Sequence, residues 1–445
     1  KVARHTGIME DKLQLLLLAL ATAVLFLLSK DGTFADRYLS TTIGMFTFGS
    51  NDFGFAPYGE RWRQLRKLST QELLSVSRVK SFQHIREDEV ARLMRDLAMS
   101  AAGGHTVNLS EKMGKLVNDI IVRCSIGSRS KYRDEFLDAL STALRQMTWL
   151  TVADIFPSSK LARMVGTAPR KALACRKRIE HILEHIIQER KDILARRDCS
   201  SGEAVARSVC FLNVLLRLQD EGDTPILITN EIIVMLLFDM FVAGSETSSS
   251  TLNWIMAELI QSPRVMKKVC DEVRQACQRK NTITEDDVIR LNYLKMVIKE
   301  TLRLHCPMPL LGPRKCHETC KVMGYDVPKD TTVFVNAWAI CRDPKYWVDA
   351  DEFKPERFED MSIDLKGNNF EFLPFGSGRR MCPAISLGLA NVELPLANLL
   401  YHFNWKLPNE IEPKDVDMLE ASGFVGPKRT NMQLHPVAHI APNIA

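Results

Sequence analysis

The chain has 445 residues, with 59 Lys+Arg against 54 Asp+Glu (net +5), 46 % hydrophobic and 25 % charged residues. That balance excludes collagen, low-complexity polymer, disordered tail and multi-span membrane protein, and the surplus charge is too dilute to argue for nucleic acid. Eleven cysteines without a repeated spacing, in a chain long enough to enclose a cofactor, read as reduced thiols of a cytosol-facing protein.

In chain order, the first feature is residues 13–28, uncharged from Leu13 to Leu28 and flanked by Glu10, Asp11, Lys12 and Lys30. A spanning helix needs about 17–20 apolar residues, so the run reads as a marginal single-pass anchor. A signal peptide would want basic residues in front, and a buried core helix is the third reading. Residues 1–8 precede a natural start at Met9, so residues 1–30 read as leader and anchor. From residue 34 to about residue 437 the chain reads as one large, mostly helical domain with small β-sheets. Three-and-four spacing of apolar residues predicts helices over 83–97, 171–195, 229–261 and 285–304. Short strands are expected at 320–327 and 331–339, and a loop at 197–208.

The most informative stretch is Phe375-Gly376-Ser377-Gly378-Arg379-Arg380-Met381-Cys382-Pro383. Its two glycines allow a tight turn at positive φ and a close approach of backbone to a flat ligand. A cysteine after such a turn, ahead of a helical run at 387–400 and near Arg380, is expected to have a lowered thiol pKa. The plainer alternative is a surface turn followed by a buried structural cysteine. A second pattern, Ala243-Gly244-Ser245-Glu246-Thr247-Ser248, puts glycine and hydroxyls inside a long apolar helix, where they cost propensity. It is expected either to open that helix and relay protons through Glu246 and Thr247, or to form a polar seam between helices. Glu300 and Arg303 share a helix face, and Arg357 follows in a proline-bounded loop, so one carboxylate between two guanidiniums is expected. Two further motifs carry less. His181-Ile182-Leu183-Glu184-His185 fits an inverted zinc-peptidase pattern but lies among charged residues, as a solvated face would. Asn108-Leu109-Ser110 fits a glycosylation sequon that would stay unused on the cytosolic side.

Taken in order, these patterns resemble the cytochrome P450 superfamily of haem-thiolate monooxygenases. The cysteine turn matches F-x-x-G-x-R-x-C, residues 243–248 the oxygen-activation helix, Glu300, Arg303 and Arg357 the E-x-x-R and arginine triad, and Trp62 with Arg66 a W-x-x-x-R. The texture, including Phe34-Ala35-Asp36-Arg37 and Pro57-Tyr58-Gly59, is closest to plant microsomal members acting on terpenoids and other specialised metabolites. The resemblance implies haem b with Cys382 as axial thiolate and metal ligand, Phe375 beside it and Gly378 in its loop. It implies propionate binding by Trp62, Arg66, Arg380 and Arg314, and proton delivery by Glu246 and Thr247. It further implies O2, a small apolar substrate, NADPH-cytochrome P450 reductase as electron donor, and the endoplasmic reticulum membrane as location. The substrate wall is expected from 43–55, 238–243, 308–312, Gly423 and Phe424.

Three departures stand out. Ala384 replaces the usual glycine two after the cysteine, and Tyr38 the usual proline after Phe-Ala-Asp-Arg. Only residues 29–33 separate Leu28 from Phe34, where the family has a proline-rich hinge, a first helix and the first strands. Missing strands would leave open sheet edges. A chain that takes up no haem, and a haem-thiolate enzyme that uses peroxide or rearranges its substrate, are therefore the alternatives to a monooxygenase.

Overall fold

The apolar run after Thr229 is hydrophobic all round, and a helix of that kind has to be enclosed by others. The structure, a computed structural model, describes residues 31–47, 52–127, 132–147, 151–156, 159–161, 168–197, 210–278, 280–408, 411–423 and 425–440. The run 13–28 and residues 198–208 of the expected loop lie outside these. The principal helices are α1 (Thr41–Phe46), α2 (Glu60–Leu68), α3 (Gln83–Ala102), α4 (Leu109–Ile126), α5 (Arg133–Gln146) and α6 (Ala168–Arg197). They continue with α7 (Phe211–Glu221), α8 (Asn230–Gln261), α9 (Pro263–Ala276), α10 (Asn292–Leu304) and α11 (Ile385–His402).

Helix α8 is the axis of the core. The Thr229 hydroxyl accepts from Ile232 N–H and starts it, and α4, α10 and α11 pack along it. Among the described residues it is the one helix long and apolar enough to cross a membrane, and it is largely buried in protein. Asn108 of the sequon has a local duty: its side chain accepts from Glu111 N–H and caps α4.

Short strands pin the helices at their margins. β1 (Asp36–Arg37) pairs antiparallel with β3 (Arg314–Lys315), which pairs with β6 (Thr332–Val333). β2 (Val107–Asn108) and β7 (Phe403–Lys406) flank β8 (Gln433–Ala438), and β4 (Cys320–Val322) forms a hairpin with β5 (Tyr325–Val327). The register sets Arg37 directly opposite Arg314.

Two expectations need correction. The strand at 331–339 is a strand only at Thr332–Val333; Asn336 then accepts from Ala339 N–H and caps a helical turn, Ala337–Ile340. The helix at 285–304 is two pieces, Glu285–Val288 and α10. Between them the chain turns so that Leu291 is fully buried.

Candidate active site

The cysteine turn folds as its glycines suggest. Gly376 and Gly378 take φ of 71° and 70°, a region that any side chain would strain. Cys382 N–H donates to Phe375 O at 2.9 Å and Met381 N–H to Gly378 O at 3.0 Å, closing the loop ahead of α11. Cys382 is the one cysteine on the wall of a cavity of about 280 Å³ between this loop and α8, and Phe375 lines it beside the thiol. Burial pushes the Cys382 thiol up, outweighing the Ala384 N–H (3.4 Å from Sγ) and the Arg66 guanidinium, which pull it down. The expected lowering by the turn is therefore overturned, because desolvation wins over one amide and one cation. The cation facing the sulfur is also Arg66 rather than Arg380.

Arg380 reaches the other way. Its Nε donates to Ala35 O and one Nη to Ala56 O, both at 2.6 Å, and its guanidinium lies 4.4 Å from the Trp62 ring centroid. Trp62 donates its indole N–H to Phe53 O at 2.9 Å and does not line the cavity; it supports Arg380. Arg66 donates to Met381 O, and Arg314 to Ser377 O at 2.9 Å. Arg37 joins them on the cavity wall, donating to Gly312 O at 2.5 Å and Gly54 O at 3.3 Å. It is the residue that motif reasoning missed, being noticed only as texture. The opposed pairing of Arg37 with Arg314 is legible only once β1 and β3 are known to meet.

These four arginines converge on one end of the cavity, an arrangement that like charges oppose. Burial, with repulsion from neighbouring arginines, brings Arg380 down to about 10 and lowers Arg37, and burial alone lowers Arg66. The second Nη of Arg380 is buried with no partner. A cationic cluster with a buried orphaned donor, a thiol on the same cavity and a close-approach turn fit a flat dianion with a metal centre, as a haem is.

Helix α8 is continuous through 243–248, which corrects the expected opening. The hydroxyls bond back along the helix: Thr247 Oγ1 donates to Ala243 O at 2.6 Å and Thr251 Oγ1 to Thr247 O at 2.8 Å. Gly244 serves a close approach, since a Cβ there would stand 2.8 Å from the Ile121 side chain of α4. Thr247 lines the Cys382 cavity. Glu246 lines an adjacent cavity of about 320 Å³ with Asn118, Ser141, Ser245 and Ser249, and burial raises its carboxyl. Leu144 and Val425 border both spaces, so the two consecutive residues face neighbouring cavities.

The wall is apolar in the main: Phe46, Phe53, Phe238, Val242 and Leu311 contribute, within the expected stretches. Gly423 lines the second cavity, and Phe424 lies outside the described residues. Leu144 and Met147 of the α5 end and Ile298 and Leu302 of α10 also line the wall, and no motif marked them. One wall residue is acidic. Asp239 accepts from Phe53 N–H at 3.2 Å, and burial with the nearby Asp52 carboxylate raises it well above the carboxylate range. Asp52, itself buried, is pushed up to about 6.

The remaining motifs fall elsewhere. Glu300, Arg303 and Arg357 form a closed ion-paired unit. His181 and His185 sit exposed on α6 with Nε2 atoms 3.1 Å apart, and the described residues provide no third ligand. Ten cysteines are described, all free thiols.

A family model described as cytochrome P450 matches residues 12–434. The chain is 62 % identical over 419 residues to ent-cassadiene hydroxylase of Oryza sativa subsp. japonica, spanning 94 % of this chain and 81 % of that protein. It is 58 % identical to dolabradiene monooxygenase of Zea mays (93 % and 81 %) and 44 % identical to premnaspirodiene oxygenase of Hyoscyamus muticus (91 % and 80 %). In shape it is similar to a zebra fish cytochrome P450 solved with abiraterone, with a TM-score of 0.75 at 24 % identity over 95 % of this chain and 92 % of that one.

Proposed function

For this chain, which belongs to the cytochrome P450 family and is a monooxygenase of that family, we propose the reaction RH + O2 + two electrons + two protons giving ROH and water on a terpenoid-sized hydrocarbon. The observation that carries it is Cys382 facing an apolar cavity lined at one end by four arginines, Arg314 and Arg380 buried and Arg37 and Arg66 half-buried. The relatives named as hydroxylase, monooxygenase or oxygenase of ent-cassadiene, dolabradiene and premnaspirodiene support an apolar specialised metabolite as substrate.

Haem b, held by Cys382, would supply the activation of O2, the thiolate pushing electron density toward the iron. The chain's own residues do the rest. Arg37, Arg66, Arg314 and Arg380 would hold the propionates, with Trp62 fixing Arg380. The aromatic and aliphatic wall excludes water from the reacting end and orients the substrate. The Thr247 hydroxyl is close enough to Ala243 O to keep its proton parked there and can turn it toward the cavity. Glu246, whose carboxyl burial raises, would take up protons from the neighbouring cavity, where Asn118, Ser141, Ser245 and Ser249 also lie, and would resupply that hydroxyl. Electrons would come from NADPH through the flavoprotein reductase at the endoplasmic reticulum, with residues 13–28 as the anchor.

The test is the reduced, CO-bound spectrum of the expressed chain, followed by turnover with NADPH and reductase. A thiolate-type Soret band and an oxygenated product are expected. No haem uptake would sink the reading, and turnover with peroxide but none with NADPH and reductase would replace it with a peroxide-using or rearranging enzyme.

A further inference from the structure

Asp31 follows the apolar run in sequence, and its carboxylate is held by the cysteine turn. One oxygen accepts from Arg314 Nη1 at 2.6 Å and the other from the Arg379 backbone N–H at 2.7 Å. Arg379 Nε stands 3.7 Å from the same carboxylate. Both partners of the Arg314 pair are nearly closed off, with side chains 13 % (Asp31) and 7 % (Arg314) exposed. The acid packs against Gly378, where a Cβ would stand 2.6 Å from the Asp31 carboxylate. The close approach that Gly378 permits is thus toward Asp31.

Arg314 is bound at both ends of its guanidinium, to Asp31 and to Ser377 O. Asp31 therefore joins two elements that are far apart in sequence, strand β3 and the turn that carries Cys382. It also offsets one of the four positive charges that converge on the cavity, and it does so from outside the cavity wall, where it leaves the space clear. A charge-assisted pair of this kind fixes a side chain more firmly than a neutral bond.

We propose that Asp31 is a positioning residue for the cofactor's carboxylates: it locks Arg314 to the cysteine turn and sets the net charge beside the haem. The proposal rests on the haem-thiolate reading above. It acts through Arg314, much as outer groups orient the ligands of a metal site, where their loss costs roughly 10–100-fold in affinity.

The experiment uses the full chain loaded with haem, as wild type, Asp31→Asn and Asp31→Glu, each also in an Arg314→Gln background. Haem transfer to excess apomyoglobin and the midpoint potential are measured. Asp31→Asn should release haem about tenfold faster and shift the potential to more positive values, because an uncompensated cation favours the electron-richer iron. Asp31→Glu, which keeps the charge, should release haem more slowly than Asp31→Asn and should not shift the potential as Asn does. The effect of Asp31→Asn should vanish in the Arg314→Gln background. Failure of the Asn variant alone to load haem supports the same conclusion. Wild-type behaviour of Asp31→Asn, equal damage by Asn and Glu, or an undiminished effect without Arg314 would each overturn it. A wild-type chain without a thiolate-type CO spectrum instead removes the parent reading.

Discussion

Arg303 Nε stands 2.8 Å from Glu300 Oε2 on α10, and neither side chain touches solvent. Arg357 reaches the other oxygen of the same carboxylate at 2.9 Å, and the Lys354 backbone N–H donates to it as well. Both guanidiniums lie near the Trp347 ring, at 5.2 and 6.0 Å. A single acid thus holds α10 to the loop before the cysteine turn.

Because a buried pair is costly to break on one side, Glu300→Gln should lower stability by about 3–5 kcal/mol. Urea unfolding of the haem-free chain measures it. A loss under about 1 kcal/mol would mean the pair behaves like an exposed one.

The arginine cluster gives a prediction with two signs. Arg380→Met removes one of four converging charges, so the haem-free chain should melt at the same temperature or higher. The loaded chain should retain haem less well, by roughly 10–100-fold in affinity. Calorimetry of both forms distinguishes this from a general loss of packing, which would lower both.

Asp52 sets a pH dependence. Its carboxyl is raised from 3.8 to about 6, chiefly by burial, so the folded chain holds the proton at a pH where the unfolded chain has released it. The group's contribution to stability is greatest below about pH 4 and is lost as pH rises to about 6, some 3 kcal/mol at most. Asp52→Asn should therefore gain stability relative to wild type between these limits and level off above them. A difference that stays flat from pH 4 to 7 would contradict the raised value.

The acid and the alcohol of α8 should separate from folding. Thr247→Val and Glu246→Gln should each slow product formation, within the 10²–10⁴-fold range of a positioned proton donor, and lower the product formed per NADPH consumed. Their CO spectra and melting temperatures should stay near wild type, since the Thr247 bond to Ala243 O adds little to a helix already bonded. Loss of the CO spectrum in either variant would point to structure instead.

Much of this protein was legible in one dimension. The positive φ of Gly376 and Gly378, the Glu300 fork, the buried axis of α8 and the thiol at the cavity all follow from local chemistry: side-chain size, backbone freedom and charge pairing over short separations. Motifs are short, and they display residue types and local turns, while the distant partners of Arg66 and Arg380 are not visible in them.

What required the tertiary structure was everything set by distance and desolvation. Arg37 meets Arg314 because two-residue strands 277 positions apart come into register. Gly244 answers to Ile121 on another helix, and Glu246 faces a different cavity from its neighbour Thr247 because successive helical residues point about 100° apart. The sign of the Cys382 shift reversed because the sequence displays the amide and the cation near the sulfur, while burial is a property of the whole fold.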